Sequence, residues 1–259
     1  MKLLIGSHCH FISDKQLLGT VEESLSYGSN CFMFYTGPNQ STYRSDIDSE
    51  MTKKGLELMK KNNIDTDNVV VHAPFILNFA NNFDERKYNF YINFFKQEIQ
   101  RCKELNINNL LFHPGSSVNL DKKTALENVA NSINLFNDNS INLILEYMSG
   151  KGTEVCSSIN EIKFVFDKVE NTNNLFICID TCHMNDSGVN ISEFNSFLDE
   201  FDQKIGLSKL KFIHLNDSLN KIGTHKDRHA NIGYGTIGFE NLIKVAYNKR
   251  IENVPKILE

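Results

Sequence analysis

Eight short apolar runs alternate with seven longer amphipathic stretches along the whole chain. Each run has the length of a buried strand, and each longer stretch has the apolar spacing of a helix. The predicted strands are 2–6, 31–36, 69–73, 109–113, 143–146, 175–180, 210–215 and 256–259, and the predicted helices are 14–28, 49–63, 84–106, 121–137, 158–169, 191–204 and 237–249. This alternation predicts an α/β fold with a parallel sheet, closed into a single (β/α)8 TIM barrel.

The chain has no linker, low-complexity tract or shift in composition that would divide it. Its 259 residues match the ~250 that a barrel of this kind needs. We therefore expect one domain over 1–259, with the chain ending at the eighth strand. An open doubly wound sheet is the alternative. It would normally show a glycine-rich phosphate-binding turn after its first strand, and Gly6-Ser7-His8-Cys9-His10 is not such a turn.

Composition narrows the class of protein. Hydrophobic residues make up 41% and charged residues 23% of the chain, which is typical of a globular protein rather than a disordered one. No apolar run approaches the ~18 residues of a membrane span, and the N-terminal run is too short for a secretory signal. The six cysteines include no Cys-x-x-Cys pair, so we expect reduced thiols, a cytoplasmic protein and no membrane partner.

Ionisable residues close six consecutive predicted strands. These residues are His72, His113, Glu146, Asp180, His214 and Glu259. In a parallel barrel all carboxyl ends of the strands share one face, which is the face that carries active sites. A single histidine or carboxylate at such a place is more often a core or capping residue. Six in a row need either mutual neutralisation or bound cations, and we expect a metal site.

Three more candidates follow directly after these strand ends. His183 lies three residues beyond Asp180, and Asp227 and His229 lie in the loop after strand seven. An Asp-x-His segment that is extended points both side chains the same way, so that both can reach one ion. The nine candidates are five histidines, two aspartates and two glutamates with a formal charge of −4.

Nine ligands are too many for one tetrahedral ion but suit three divalent ions that share a bridging carboxylate. Imidazole and carboxylate together favour zinc, with manganese or iron as substitutes. Three such ions would give the site a positive charge that attracts an anion, despite the net charge of −5 on the chain. Clusters of this kind serve phosphate-ester hydrolysis, although at this point phosphodiesters, phosphomonoesters and amides all fit as substrates.

Several long segments resemble the endonuclease IV family of apurinic/apyrimidinic (AP) endonucleases. They are Gly6-Ser7-His8, His72-Ala73-Pro74-Phe75-Ile76-Leu77-Asn78, Phe112-His113-Pro114-Gly115-Ser116, 145–152, Ile179-Asp180-Thr181-Cys182-His183, 214–218 and 227–238. The resemblance covers the chain from its first strand to its last residue. It implies a monomeric hydrolase with three zinc ions, which cleaves double-stranded DNA on the 5′ side of abasic sites. The products would be a 3′-hydroxyl and a 5′-deoxyribose phosphate, and the enzyme would also remove 3′ blocking groups in base excision repair.

The resemblance also implies how the ligands divide among the ions. The first ion would take His72, His113 and Glu146, the second Asp180, His214 and Glu259 with Glu146 as a bridge, and the third His183, Asp227 and His229. We expect Glu146 and Glu259 to be catalytic residues as well as ligands.

DNA contacts are expected from two loops on the same face. The family usually has a tyrosine after His-Ala-Pro that wedges into the duplex, and this chain has Phe75 there. The loop after strand two carries Gln40, Tyr43 and Arg44, which we expect to fill the gap left by the flipped nucleotide and to grip phosphate.

Two other functions are alternatives to DNA hydrolysis. A metal-dependent sugar isomerase or epimerase on a related barrel would hold one or two ions and would leave His183, Asp227 and His229 without a task. A non-catalytic binder of DNA lesions would recognise an abasic duplex without turnover.

Overall fold

The computed structural model describes residues 3–259 and contains a closed barrel of eight parallel strands. The barrel strands are β1 (Ile5–His8), β2 (Cys31–Phe34), β3 (Val69–His72), β4 (Asn109–Phe112), β5 (Asn142–Tyr147), β6 (Leu175–Asp180), β7 (Leu210–His214) and β10 (Lys256–Leu258), and they follow one another around the barrel in the order β1-β10-β7-β6-β5-β4-β3-β2. A separate antiparallel ladder pairs β8 (Asp217–Ser218) with β9 (His229–Ala230). The predicted barrel is confirmed, and the open sheet is excluded because β1 pairs with both β2 and β10.

Eight α-helices surround the barrel in residues 3–259, and seven of them lie where the sequence predicts a helix. They are α1 (Gln16–Ser26), α2 (Ser49–Lys61), α3 (Glu85–Leu105), α4 (Lys122–Phe136), α5 (Ile159–Lys168), α6 (Thr181–Ser187), α7 (Phe194–Lys204) and α8 (Phe239–Ala246). Side chains cap several of these helices at their first turns. The carboxylates of Asp48, Asp84 and Asp121, for example, accept backbone N–H groups of α2, α3 and α4 respectively.

Like the β8–β9 ladder, the short helix α6 is an element that the sequence pattern did not predict. It begins immediately after β6, and the Asp180 carboxylate accepts the backbone N–H groups of Cys182 and His183 at 2.6 and 3.0 Å. A helix of seven residues is too short to show the apolar spacing of an amphipathic helix. As a consequence, His183 projects from a helix and not from a loop.

The core has two layers, as expected for a barrel surrounded by helices. The interior of the barrel is filled by Cys31, Met33, Val70, Leu111, Ile144, Cys178, Phe212 and Ile257. A larger apolar layer packs between the strands and the helices. All six cysteines are free and buried, as expected for reduced thiols. Within 3–259, the helices are all too short or too polar to cross a membrane.

Candidate metal centre

The barrel brings the six strand-end residues to one mouth. His72, Asp180 and His214 are the last residues of β3, β6 and β7, and Glu146 is the next-to-last residue of β5. These four side chains are at most 1% exposed. His113 and Glu259 each follow the last residue of a strand, and their side chains are 22% and 18% exposed. The mouth therefore has a buried floor and a partly open rim.

Glu146 lies at the centre of this cluster. Its Oε2 lies 3.0 Å from His113 Nε2 and 3.3 Å from His72 Nε2. Its Oε1 lies 3.2 Å from His214 Nδ1 and 3.3 Å from His183 Nδ1. Because each oxygen faces a different pair of imidazoles, this carboxylate has the geometry of a bridge between two neighbouring cations.

His214 shows most clearly that the donors fit a cation. Neither of its buried ring nitrogens has a hydrogen-bond partner among the described residues. Yet Nδ1 lies 3.0 Å from Glu259 Oε2 and 3.8 Å from Asp180 Oδ2. Buried polar atoms in native proteins are almost always paired. Imidazole and carboxylate atoms that crowd together without hydrogen-bond geometry are the donor set of a divalent metal ion.

The third group lies at the outer side of the mouth. His183 Nε2 lies 3.1 Å from Asp227 Oδ1, and His229 Nε2 lies 3.6 Å from the same oxygen and 3.5 Å from Asp180 Oδ2. His229 Nε2 is buried and has no hydrogen-bond partner in the described part of the chain. The ligand atoms of His183, His229 and Asp180 lie within 4.8 Å of one another. The same is true of the Cys182 thiol and the ligand atoms of Asp227 and His229. Asp180, which we expected to serve the second ion alone, thus lies between two groups.

The reason for the proximity of Asp227 and His229 differs from the one predicted. The segment is not extended, because Asp227 has a φ of +55° in the left-handed region. This backbone conformation is uncommon for residues other than glycine, and aspartate tolerates it better than most. The loop itself, and not the alternation of an extended strand, brings the two side chains together.

Charge and burial perturb the ionisable groups strongly. Burial acts to raise the pKa of Glu146, but His113 and His214 hold that pKa well below its usual range. Burial acts to lower the pKa of His183, but Asp180 and Asp227 raise it well above the ordinary 6.5. Burial acts to raise the pKa of Asp227, but the hydrogen bond from His183 and the charges of His183, His229 and Lys151 together lower it to about 2. In the absence of metal cations, protonated imidazoles therefore neutralise the neighbouring carboxylates.

Backbone carbonyls and one amide orient the candidate ligands. His72 Nδ1 lies 2.6 Å from the Ala73 carbonyl oxygen, which leaves Nε2 to face Glu146. Asn216 donates its side-chain amide to Asp180 Oδ2 at 2.7 Å and to Glu259 Oε2 at 3.2 Å. Outer hydrogen bonds of this kind fix the tautomer and orientation of metal ligands. Asn216 has a place in the sequence motif, but its contacts to both carboxylates follow only from the fold.

Asp186 is a functional candidate that sequence reasoning missed. This fully buried carboxylate accepts the backbone N–H groups of Lys226 and Asp227 at 3.2 and 2.7 Å through Oδ2, and the Ser218 hydroxyl at 2.7 Å through Oδ1. It therefore fixes the loop that carries Asp227. The two aspartates are 41 residues apart in sequence, so the pattern offered no signal for this contact.

The residues expected to contact DNA divide into two kinds. Phe75 and Tyr43 are 42% and 71% exposed, and Gln40 is also exposed. Arg44 is different, because its side chain is only 2% exposed and its Nε donates to Glu98 Oε1 at 2.7 Å. The charge of Arg44 is therefore committed to a partner inside the fold, which does not support the expectation that it grips phosphate.

A pocket of about 520 Å³ lies beside the candidate metal ligands, between the loops that follow β1 and β2. Its walls include His8, Tyr35 and Tyr43. The rings of Tyr35 and His72 have centroids 4.8 Å apart, and those of Tyr35 and His8 have centroids 5.3 Å apart. The β2 loop thus borders both the pocket and the floor of the metal centre.

Known proteins resemble this chain in sequence and in fold. A family model described as a xylose isomerase-like TIM barrel matches residues 21–259. The probable endonuclease 4 of Mycoplasma capricolum subsp. capricolum is 43% identical over 263 residues, which cover 100% of this chain and 90% of the relative. The probable endonuclease 4 of Enterococcus faecalis is 42% identical over 260 residues, which cover 99% of this chain and 87% of the relative.

Solved structures share the fold at lower identity. Endonuclease IV from Thermus thermophilus matches with a TM-score of 0.85 at 23% identity, over 98% of this chain and 91% of that one. A D-tagatose 3-epimerase-like protein matches with a TM-score of 0.69 at 20% identity, over 98% of this chain and 89% of that one.

Proposed function

This chain belongs to the endonuclease IV family, and we propose that it hydrolyses the DNA backbone on the 5′ side of abasic sites with three metal ions held at the barrel mouth. It is a DNA-cleaving hydrolase of base excision repair, and the same site would remove 3′ blocking groups. The observation that carries the proposal is the meeting of nine imidazole and carboxylate side chains, Glu146 among them, at one barrel mouth, with buried nitrogens of His214 and His229 that have no hydrogen-bond partner in the described chain.

We assign the nine side chains to three ions, preferably zinc. His72 and His113 would hold the first ion, and His214 and Glu259 the second, with Glu146 between them. The third ion would take His183, Asp227 and His229. Asp180 lies between the second and third groups, so it would be a ligand shared by these two ions. When bound, such ions neutralise charge on the phosphoryl oxygens and make water acidic enough to attack at neutral pH.

Residues of the chain itself hold the site rigid and leave it open to the substrate. His72, Glu146, Asp180 and His214 form a buried floor that is rigid because each side chain comes from a barrel strand. His113, Asp227 and His229 have side chains 22–28% exposed, so that a phosphodiester can approach from the rim. His214 keeps the pKa of Glu259 far below its usual range despite burial, and Glu259 is therefore an ionised carboxylate that can orient the attacking water.

Exposed aromatic and amide side chains near the mouth support a DNA substrate. Phe75 and Tyr43 offer faces on which bases can stack, and Gln40 offers hydrogen-bond donors and acceptors. Removing an abasic nucleotide from the helix costs little, because no base has to be unstacked. We propose that these three side chains occupy the space that the abasic nucleotide leaves.

The sugar isomerase or epimerase alternative has weaker support. The epimerase-like structure matches with a TM-score of 0.69, against 0.85 for the endonuclease structure, and both likenesses concern the fold. The relatives at 42–43% identity over nearly the whole chain carry the endonuclease name.

The test is nicking of a duplex oligonucleotide that contains one abasic analogue, together with metal analysis of the purified protein. We expect wild-type protein to cut 5′ of the analogue and the His113→Ala/His214→Ala variant to lose both cutting and bound metal. His10→Ala is the matched control for metal content, since His10 is bound to Glu23 at 2.9 Å and not to the cluster. Undiminished nicking by the double variant would overturn the proposed mechanism.

A further inference from the structure

A buried ionic network lies beneath the loop between β2 and α2, away from the metal ligands. Arg44 Nε donates to Glu98 Oε1 at 2.7 Å, and the Thr36 hydroxyl donates to Glu98 Oε2 at 2.8 Å. Arg101 Nε in turn donates to the Thr36 hydroxyl at 3.1 Å. Glu98 is fully buried and Arg101 is 5% exposed. We refer to Thr36, Arg44, Glu98 and Arg101 as the loop clamp.

The loop clamp holds the β2 loop (residues 35–48) at both ends and near its tip. Arg101 donates to the carbonyl oxygens of Thr36 and Ser45 at 2.9 and 2.7 Å, and so it joins the two ends of the loop to α3. Arg44 Nη1 donates to the carbonyl oxygens of Ser41 and Tyr43 at 3.1 and 2.7 Å. The loop has no regular helix or strand of its own, so these bonds to the clamp replace a backbone ladder.

The packing around Arg44 leaves little freedom. Its guanidinium lies 5.0 Å from the centre of the Phe94 ring. At Gly37, an added Cβ would lie 2.7 Å from Arg44 Nη1 and 2.8 Å from the Tyr43 carbonyl oxygen. A side chain at Gly37 would therefore displace either the guanidinium or the loop that it holds.

Burying the charged side chains of the loop clamp costs free energy that an apolar contact at the same place would not cost. Burial of charged groups carries a desolvation penalty, and an ion pair that is kept in spite of this penalty can serve to fix one conformation. What this clamp fixes is the exposed tip with Gln40 and Tyr43, which also borders the pocket beside the metal ligands. The barrel strands themselves do not depend on these bonds, since Thr36 lies beyond the end of β2.

We propose that Thr36, Arg44, Glu98 and Arg101 are positioning residues that hold the β2 loop in the shape that binds abasic DNA, and that they set affinity for the duplex without affecting the metal centre. The inference rests on the proposed function, since it takes abasic duplex DNA as the ligand. A loop that is ordered before binding loses less conformational entropy when the duplex binds.

The experiment compares Arg44→Met and Thr36→Val with wild type and with Arg250→Met. Met keeps the bulk beside Phe94, and Val removes only the hydroxyl that joins Glu98 to Arg101. Arg250 pairs with the exposed Asp199 at 2.7 Å on another part of the surface and is the matched control. Four quantities are measured: KM and kcat on the abasic duplex, hydrolysis of bis(p-nitrophenyl) phosphate, bound metal, and amide hydrogen exchange of residues 37–45.

We expect both clamp variants to raise KM for the duplex by about tenfold or more, because the loop must be ordered on binding. Changes in kcat, metal content and hydrolysis of the small phosphodiester should stay within about twofold, while amide exchange of residues 37–45 becomes faster. The Arg250→Met variant should match wild type in every measurement.

Two results would overturn the inference. One is an unchanged KM in clamp variants whose loop exchanges faster, because loop order would then not matter for binding. The other is a parallel loss of metal and of activity on the small phosphodiester, which would give the clamp a general structural role. Failure of wild-type protein to nick any abasic duplex is a different result, since it overturns the proposed function and with it the DNA ligand of the clamp.

Discussion

The deep and outer parts of the candidate metal centre are built in different ways. In the deep part, His72, Glu146 and His214 come from barrel strands and are at most 1% exposed. In the outer part, His183 comes from the short helix α6 and Asp227 from a loop with a left-handed backbone. The side chains of Asp227 and His229 are 22% and 28% exposed.

This difference shows what each part needs in order to form. The carboxyl ends of parallel strands meet at one face in every closed barrel, so the deep ligands depend only on the strand register. The outer ligands depend on contacts made by other side chains, above all on Asp186, which accepts hydrogen bonds from the backbone N–H groups of Lys226 and Asp227. We therefore expect the deep part to tolerate changes in the loops, and the outer part to be selectively removable.

We expect the largest loss of activity from Glu146→Gln, which changes a residue of the deep part. The amide would place an N–H group against imidazole nitrogens that now face a carboxylate oxygen at 3.0–3.3 Å. We expect nicking to fall by more than the ~10–100-fold that is typical for residues outside the ligand shell, with loss of more than one ion. Steady-state nicking and metal analysis check this, and a variant that retained all its metal would show that Glu146 does not bridge.

Asp186→Asn is expected to disturb the outer part alone. An amide nitrogen in place of Oδ2 would face the N–H groups of Lys226 and Asp227, so that donors oppose donors. We expect roughly 10–100-fold weaker binding of one ion, and two ions retained after dialysis against a weak chelator. Asp199→Asn, at a side chain that is 73% exposed, is the control. Loss of all ions together would contradict the distinction between the two parts.

The pH dependence of stability should differ between metal-free and zinc-loaded protein. In the metal-free protein the raised pKa values of His183 and His214 stabilise the fold below their ordinary 6.5, and this contribution is lost as pH rises through the raised values. The lowered pKa values of Glu146 and Asp227 stabilise the fold above their ordinary 4.5 and 3.8, and this contribution is lost as pH falls.

The melting temperature of metal-free protein should therefore be highest between about pH 4.5 and 6.5 and should fall toward pH 9. The lowered pKa values of His8 and His72 act in the opposite direction, whereas the pKa values of His113, His183 and His214 are raised, the last two well above 6.5. Zinc replaces the protons, so zinc-loaded protein should lose far less stability on the alkaline side. Equal alkaline losses with and without zinc would show that the cations do not neutralise these carboxylates.

The smallest effect is expected from Phe75→Ala, which leaves both parts of the metal centre intact. Base stacking on an aromatic side chain contributes about 1–3 kcal/mol, so we expect KM for the abasic duplex to rise by roughly fivefold or more. Metal content and hydrolysis of bis(p-nitrophenyl) phosphate should not change. An unchanged KM would remove Phe75 from the residues that bind DNA.

The sequence predicted the deep part well because strand ends are a local feature. An apolar run that ends in His72 or Asp180 marks both the strand and the face on which its last side chain lies. Once the alternation predicts a barrel, the convergence of these side chains follows from geometry alone. Their role as ligands stays a prediction that the geometry supports.

The outer part of the candidate metal centre and the loop clamp depend on contacts between residues that are distant in sequence. Arg44 and Glu98 are 54 residues apart, and no pattern around Arg44 distinguishes a buried clamp from a free cation on a loop. The same holds for Asp186 and Asp227, and for the left-handed backbone that replaces the expected extended segment. Such contacts form only after the loops have packed, so the sequence pattern could not predict them and the structure was needed to find them.

Anomalous scattering from crystals of the zinc-loaded protein tests the central claim most directly. We predict three peaks at the barrel mouth: one beside His72 and His113, one beside His214 and Glu259, and one beside His183 and His229. A mouth without anomalous peaks, in protein that still nicks abasic DNA at its full rate, would contradict the account.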